Sequence, residues 1–181
     1  MAVKTQKPLI GDKVYLRPTT PEDYSSIYVW QLASDPQSTT CHPRILKTAA
    51  KSIEAFKSAE PKETAQTFTV VRKKDDTLVG MIRFFDLNNL NRSSELGLLI
   101  DPDEQRKGFG ADAMKVLIRY LFRYRGLNKV HAQTADFNDG AVALLNGLNF
   151  QRDGALRQHY FYDGSFHDGY IYSLLLHELD F

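Results

Sequence analysis

The chain has 181 residues, a formal net charge of +1, a hydrophobic fraction of 43% and a charged fraction of 25%. These values are ordinary for a globular protein, and so small a charge argues against binding nucleic acid or an anionic membrane through bulk electrostatics. The single cysteine, Cys41, excludes an internal disulfide and argues against a cysteine-based zinc site. We expect one domain over residues 1–181, a cytoplasmic location, and neither a membrane span nor a secretory signal.

The first part of the chain predicts a strand followed by two helices. Residues 14–16 form a short apolar strand, and residues 20–23 read Thr-Pro-Glu-Asp. That sequence is a helix start with a capping threonine, a proline in the first turn and acidic side chains at the positive end of the helix dipole. A weaker second helix is expected over residues 48–59. The side chains of the first helix that should face inward are Tyr24, Ile27 and Tyr28.

The middle of the chain predicts four further strands and a long helix. Residues 68–70 and 78–85 form a hairpin-like pair around a polar turn. Alternating apolar side chains over residues 96–100 predict the next strand, and residues 109–124 carry the apolar stripe of an amphipathic helix. A strand over residues 130–134 follows, so strand, helix and strand form one parallel crossover unit.

The last part of the chain predicts a short helix over residues 138–148 and a closing hairpin. Its strands, residues 156–162 and 166–176, flank the turn Asp163-Gly164. The predicted fold class is α/β, with a mixed, mostly antiparallel sheet, flanking helices and a single parallel βαβ crossover.

A Gly-x-Gly step links the strand at residues 96–100 to the long helix. Residues 105–111 read Gln-Arg-Lys-Gly-Phe-Gly-Ala, and glycine lets backbone N–H groups approach a ligand at the positive end of the helix dipole. One interpretation is a turn that only starts the helix. A second interpretation is a dinucleotide site. The match to it is weak, because residues 101–107 separate the strand from the first glycine. The third interpretation, a site for another phosphate-bearing ligand, depends on the surrounding elements.

Together with its strand, Asp-Pro turn, long helix, second strand and asparagine-led short helix, this segment closely resembles the GNAT N-acetyltransferase superfamily. Gln105, Gly108 and Gly110 match the fixed positions of the loop that binds the diphosphate of acetyl-coenzyme A in that family. Residues 156–175 resemble the branch that includes ribosomal-protein N-terminal and polyamine-type acetyltransferases. The resemblance implies an acyltransferase with a GNAT-like six- to seven-stranded sheet and acetyl-coenzyme A as its cosubstrate.

The resemblance also implies where acetyl-coenzyme A lies. Backbone N–H groups of residues 106–111 would hold the diphosphate. The pantetheine arm would pair with the exposed edge of residues 98–100, where the two parallel strands of the family splay apart, and Asn138 would contact that arm. Asn138 also has the ordinary alternative of capping its helix. The expected cofactor-binding residues are Leu98, Leu99, Ile100, Gln105, Arg106, Lys107, Gly108, Phe109, Gly110, Ala111 and Asn138.

Transfer of an acetyl group to an amine needs a base that takes the proton of the acceptor ammonium. Glu95 is the first candidate, because members of the resembled family often carry a glutamate at this place. The alternative for Glu95 is a solvated charge at a strand end, and Asp86 is the reserve base. The tyrosine that many members place near the departing sulfur is replaced by Leu145, which cannot donate a proton. Tyr160 or Tyr170 is either a substitute donor or a packing residue of the last hairpin.

The other reactive side chains are interpreted as structural. Cys41-His42 lies in an irregular segment without an orienting carboxylate, so we do not expect a nucleophile there. His131 is interpreted as a hydrogen-bonded strand residue, with a catalytic role as the alternative. The remaining histidines lack the spacing of a metal site, so no metal is expected.

The acceptor amine is the least determined part of the prediction. In the resembled family the first helices and their loop, here residues 24–51, form the acceptor pocket with the final hairpin. Aromatic side chains in these segments favour a protein or peptide N-terminal α-amine, with a small-molecule amine of polyamine or amino-sugar type as the alternative. A non-catalytic module that binds acyl-coenzyme A is the rival from another class. The expected partners are acetyl-coenzyme A and the acceptor, and the expected state is a monomer or homodimer.

Overall fold

The computed structural model describes residues 9–33, 48–59 and 62–181. Eight strands and four α-helices lie within these ranges. The strands are β1 (Leu9–Ile10), β2 (Val14–Pro18), β3 (Gln66–Arg72), β4 (Leu78–Asn88), β5 (Ser93–Ile100), β6 (Lys129–Ala135), β7 (Gln151–Tyr162) and β8 (Ser165–Leu175). The helices are α1 (Asp23–Ala33), α2 (Ala49–Ser58), α3 (Phe109–Arg123) and α4 (Asp139–Gly147).

All eight strands form one sheet in the order β1-β2-β3-β4-β5-β6-β8-β7. Every neighbouring pair is antiparallel except β5 and β6, which are parallel and joined through α3. The predicted fold class and its single parallel crossover are therefore confirmed. The additional strand is β1, whose two residues pair with Leu16 and Tyr15 of β2. A segment of two residues is too short to show an alternating pattern, so the sequence did not predict it.

Helix α3 covers one face of the sheet. Its apolar side chains recur every four residues, and Ala113, Leu117 and Leu121 are fully buried in the main core. This core includes Val70 of β3 and Leu96 of β5, so α3 is held firmly against the centre of the sheet. None of the helices in the described ranges combines the length and apolarity that a membrane crossing requires.

Helices α1 and α2 lie on the opposite face. Ile27 and Trp30 of α1 form a smaller apolar cluster with Leu99 of β5, and Tyr24 stacks on Phe56 of α2 with ring centroids 4.8 Å apart. Each face of β5 thus carries its own helical layer. Inward packing of Ile27 is confirmed, whereas Tyr24 and Tyr28 are only partly buried.

The first helix begins at Asp23, later than the threonine-proline start that the sequence predicted. The Asp23 carboxylate accepts hydrogen bonds from the backbone N–H of Thr20 at 2.8 Å and from the Thr69 hydroxyl at 2.9 Å, and it forms an ion pair with Arg17. Burial raises the pKa of Asp23, but these hydrogen bonds and the Arg17 charge outweigh it and lower the pKa to about 2. The buried carboxylate therefore anchors the start of α1 to β2 and β3.

Candidate functional site

The parallel strands β5 and β6 pair over only three positions. Ser93 lies opposite Lys129, Ser94 opposite Val130, and Glu95 opposite His131. Beyond Glu95, β5 continues along β4 and β6 continues along β8, but the two strands no longer pair with each other. Backbone edges of residues 96–100 and 132–135 therefore face a gap in the described sheet, which we call the β5–β6 gap. An extended ligand with amide groups can bind such an edge as an added strand.

The glycine step lies at the outer end of β5 and supplies backbone donors. Arg106 and Gly108 have positive φ angles of 61° and 84°. The first i→i−4 hydrogen bond of α3 runs from the Asp112 N–H to the Gly108 carbonyl oxygen, 3.1 Å. The three N–H groups of residues 109–111 precede it and have no acceptor within the helix. Among the described residues, no hydrogen bond uses the N–H groups of residues 106–111.

The two glycines have different structural reasons. The left-handed φ of Gly108 strains any other residue, and a Cβ there would lie 2.8 Å from Nζ of Lys13. A Cβ on Gly110 would lie 3.1 Å from Cδ2 of Leu98 and 3.4 Å from Cγ1 of Ile100. Gly110 therefore lets α3 begin in close contact with β5. As a result, the unpaired amides and the β5–β6 gap adjoin each other.

Several side chains predicted to bind the cofactor make contacts within the protein. Nε2 of Gln105 donates to the Ile100 carbonyl oxygen at 3.4 Å. Nζ of Lys107 forms an ion pair with Glu104 at 2.9 Å and donates to the Asp103 carbonyl oxygen at 2.8 Å. Asn138 caps α4, since its Oδ1 accepts the Ala141 N–H at 3.2 Å. The capping alternative for Asn138 is therefore observed, while its contact with a pantetheine arm stays a prediction.

Glu95 lies where the β5–β6 gap begins. Side chains alternate along β5, so Glu95 is on the face of Gly97 and Leu99, which is the face that α1 covers. Burial raises the pKa of Glu95, the nearby Asp86 carboxylate raises it further, and Arg83 partly opposes both effects. A raised pKa brings the glutamate closer to neutral pH, and a general base is most effective when its pKa lies near the pH at which it works.

His131 faces Glu95 across the last pair of the β5–β6 ladder, with its Nε2 3.7 Å from Oε2 of the glutamate. Burial and the Lys129 charge lower the pKa of His131, against opposing contributions from Asp153 and Asp86. The lowered pKa favours the neutral form of the imidazole over the charged form. The two side chains therefore form a polar contact rather than a strong ion pair.

The two tyrosines that were candidate proton donors make different contacts in the structure. Leu145 is 3% exposed and lies in the main core, so its position contributes only packing. The hydroxyl of Tyr160 accepts a hydrogen bond from Nε2 of Gln133 on β6, at 2.9 Å. Tyr170 packs partly against the main core and lies beneath the guanidinium of Arg152, 4.7 Å from its ring centroid. Tyr160 is thus the tyrosine bonded to a β6 side chain beside the gap.

Two residues beside the glycine step were missed by the sequence analysis. The Asp112 carboxylate in the first turn of α3 accepts the backbone N–H groups of Asp12, Lys13 and Val14 at 3.0, 2.7 and 2.9 Å. This fixes the β1–β2 turn against the start of α3. Lys13 and Asp112 are 99 positions apart, so no local pattern connects them.

Cys41-His42 lies outside the described residues. In the ranges that the structure covers, no group of three or more histidine, cysteine or acidic side chains has the arrangement of a metal site.

Residues 13–151 match the family model described as an acetyltransferase (GNAT) domain. The chain belongs to this family. Membership agrees with the resemblance that the glycine step and its flanking elements predicted, and it places the protein among the acyltransferases.

Two relatives represent the two kinds of acetyltransferase in the branch that the closing segment resembles. The chain is 28% identical over 106 residues to spermidine N(1)-acetyltransferase of Vibrio cholerae serotype O1 (strain ATCC 39315 / El Tor Inaba N16961), covering 59% of this chain and 61% of the relative. It is 34% identical over 104 residues to YdaF of Bacillus subtilis (strain 168), which is named as a candidate ribosomal N-acetyltransferase, covering 58% and 57%. The chain thus matches about three fifths of the length of each relative.

A crystal structure of spermidine N-acetyltransferase from Vibrio cholerae in complex with CoA and spermine has the same fold. The two structures superpose with a TM-score of 0.83, covering 92% of this chain and 97% of the other at 22% sequence identity. At this identity the likeness establishes the GNAT architecture alone.

Proposed function

We propose that the protein is an acetyl-coenzyme A-dependent N-acetyltransferase that transfers the acetyl group directly to a polyamine-type amine. The observation that carries the proposal is the β5–β6 gap with unpaired N–H groups at its outer end. One ligand that carries both an amide-containing arm and a diphosphate fits these two features together. Membership in the acetyltransferase (GNAT) family supports the same ligand.

The proposed binding mode divides coenzyme A between the edge of β5 and the start of α3. The amides of the pantetheine arm pair with the backbone of residues 98–100, which faces the gap. The N–H groups of residues 106–111 donate to the diphosphate, and the positive end of the α3 dipole favours its negative charge. In this arrangement the thioester lies near the inner end of the gap, on the side of Glu95.

Glu95 is the proposed catalytic base. Its carboxylate takes a proton from the acceptor ammonium, directly or through a water molecule, and the neutral nitrogen attacks the thioester carbonyl. The carbon–sulfur bond of the acetyl-coenzyme A thioester then breaks, the sulfur leaves as a thiolate, and the surplus proton of the attacking nitrogen passes to solvent. A thiol has a pKa of about 8.5, so its anion is a tolerable leaving group without a dedicated acid. A core leucine at position 145 is compatible with this mechanism.

Two observations support a polyamine-type acceptor over the protein α-amine that the sequence favoured. One relative is a spermidine N(1)-acetyltransferase, and the structural neighbour, also a spermidine N-acetyltransferase, binds spermine. In addition, the Asp86 charge acts on Glu95 on the acceptor side of β5. Two neighbouring carboxylates attract a substrate with several ammonium groups. The similarity to YdaF keeps a ribosomal-protein N-terminus as the second candidate acceptor.

The proposal is tested by incubating the protein with acetyl-coenzyme A and an amine panel while thiol release is followed. The panel contains spermidine, spermine, an amino sugar and a peptide with a free α-amine. We expect release with the polyamines and an acetylated polyamine by mass spectrometry. Release with the peptide alone would replace the proposed acceptor by the second candidate. Tight coenzyme A binding without release for any amine would identify a non-catalytic binding module.

A further inference from the structure

The geometry points to Lys13 as a phosphate-binding residue of the coenzyme A site, and this inference rests on the function proposed above. The β1–β2 turn carries Lys13 to the glycine step, where its Nζ lies 2.8 Å from the position that a Cβ on Gly108 would occupy. The ammonium is therefore next to the N–H groups assigned to the diphosphate.

The backbone of Lys13 is fixed from two sides. Its N–H donates to the Asp112 carboxylate at 2.7 Å, and its carbonyl oxygen accepts the N–H of Lys73 at 2.9 Å. The turn also approaches α3 closely, because a Cβ on Gly11 would lie 2.5 Å from Oδ2 of Asp112. A lysine on so well-anchored a backbone loses less conformational freedom when its ammonium binds a ligand.

The ammonium of Lys13 has bonding capacity left. It donates to the carbonyl oxygen of Lys107 at 2.8 Å, which uses one of its three N–H groups. In the described part of the chain, no carboxylate lies within ion-pair distance of it. The neighbouring Lys107 differs, because its Nζ forms an ion pair at 2.9 Å with Glu104, a carboxylate that also pairs with Arg72. Lys13 is thus the better placed of the two lysines to face a diphosphate.

Asp112 has a positioning role in this arrangement. Its carboxylate lies at the positive end of α3, where the dipole and three backbone N–H groups balance its charge. It can therefore hold the β1–β2 turn without neutralising the ammonium of Lys13. The combination places one cation beside a row of fixed backbone donors.

The test compares ligands with and without phosphate groups. Coenzyme A and pantetheine are titrated calorimetrically into wild-type protein, Lys13→Met and the control Lys62→Met. Lys62 is exposed, and its neighbour Glu63 accepts a hydrogen bond from Arg125 through its carbonyl oxygen. Since Arg125 follows the C-terminal end of α3, this control lies at the end of the helix opposite the glycine step. We expect Lys13→Met to weaken coenzyme A binding about tenfold, the effect of one lost charge-assisted hydrogen bond, and to leave pantetheine binding unchanged. Lys13→Arg should retain most of the affinity, and Lys62→Met all of it.

The outcomes separate this inference from the proposed function. Unchanged coenzyme A affinity in Lys13→Met, or equal weakening of coenzyme A and pantetheine, would overturn the phosphate-binding role of Lys13 alone. Failure of the wild-type protein to bind coenzyme A would overturn the proposed function as well. Thermal unfolding of each variant checks that the β1–β2 turn stays folded, and a salt series gives a second readout. Lys13→Met should make coenzyme A affinity less dependent on ionic strength.

Discussion

Glu95 and His131 are the last residues paired across the parallel ladder of β5 and β6, and Oε2 of the glutamate lies 3.7 Å from Nε2 of the histidine. Burial raises the pKa of Glu95 and lowers the pKa of His131. In both side chains the shift favours the neutral form. The pair therefore gains little from mutual ion pairing at neutral pH. A carboxylate that is not neutralised by its neighbour remains available to accept a substrate proton.

Replacing Glu95 by glutamine is expected to lower turnover by about 10²- to 10⁴-fold, the usual contribution of a positioned base. The substitution keeps the shape of the side chain, so the coenzyme A affinity should change little. Steady-state kinetics with the best amine of the panel and calorimetric titration with coenzyme A measure the two quantities. Glu63→Gln, an exposed glutamate, is the matched control. Full activity in Glu95→Gln would move the base elsewhere, with Asp86 as the next candidate.

Replacing Asp86 by asparagine is expected to shift the pH profile of kcat/KM to lower pH. The Asp86 charge raises the pKa of Glu95, so removing that charge lowers the pKa and makes the base available in more acidic solution. The acidic limb of the profile, measured from pH 4 to 9, reports this shift. Asp163→Asn in the turn of the closing hairpin removes the same charge at a position where asparagine tolerates the positive φ of 45°. If the acidic limb of Asp86→Asn is not shifted, the Asp86 charge does not influence the group that titrates there.

Gly110→Asp should weaken coenzyme A binding by at least about tenfold, because the new charge repels a diphosphate beside the N-terminus of α3. Its Cβ would also press on Leu98 and Ile100 and push α3 away from β5. Calorimetric titration measures the affinity, and circular dichroism verifies the fold. Gly154→Asp adds the same charge where nothing lies within 4 Å of the new Cβ, and it should bind coenzyme A normally. Equal affinity in the two variants would contradict the assignment of the glycine step.

Asp23→Ala is expected to reduce the free energy of unfolding by about 3 kcal/mol, because it leaves Arg17 without its partner and removes two further hydrogen bonds. The pKa of Asp23 is lowered to about 2 in the folded protein. Its stabilising contribution is therefore complete above the ordinary aspartate pKa of about 3.9 and is lost as the pH falls toward 2. The difference between wild type and Asp23→Ala, measured by urea unfolding, should shrink over this interval. Glu54→Ala on exposed α2 is the control, and a pH-independent difference would rule out this linkage.

The sequence predicted most of the elements because their patterns are local. The apolar stripe of α3 and the turn at Asp163-Gly164 are each recognised from a short stretch of sequence. The observed ends of α3 and β8 lie within about two positions of the predicted ends. The start of α1 was misplaced because Asp23 is held by Arg17 and Thr69, contacts that depend on tertiary structure. The β7 strand extends back to Gln151, since pairing with β8 continues there across irregular register shifts.

The candidate site was predictable only in part. The glycine step could be recognised because its residues are adjacent in the chain; Gly108 adopts a left-handed φ, and Gly110 leaves room for the close approach of α3 to Leu98 and Ile100. The extent of the β5–β6 gap could not be derived from the residues themselves, because it is a property of pairing between two separate strands. The contact of Lys13 with the glycine step depends on Asp112, far away along the chain, so it required the folded structure.

The short ladder between β5 and β6 also bears on how the sheet responds to a bound ligand. Within the described residues, β5 of the five-stranded half, β1 to β5, pairs with β6 of the three-stranded half, formed by β6, β8 and β7, at only three positions. Shear or twist between these halves therefore meets little resistance from main-chain bonds at the centre of the sheet. A ligand that binds along the gap would therefore restrict the motion of the two halves relative to each other.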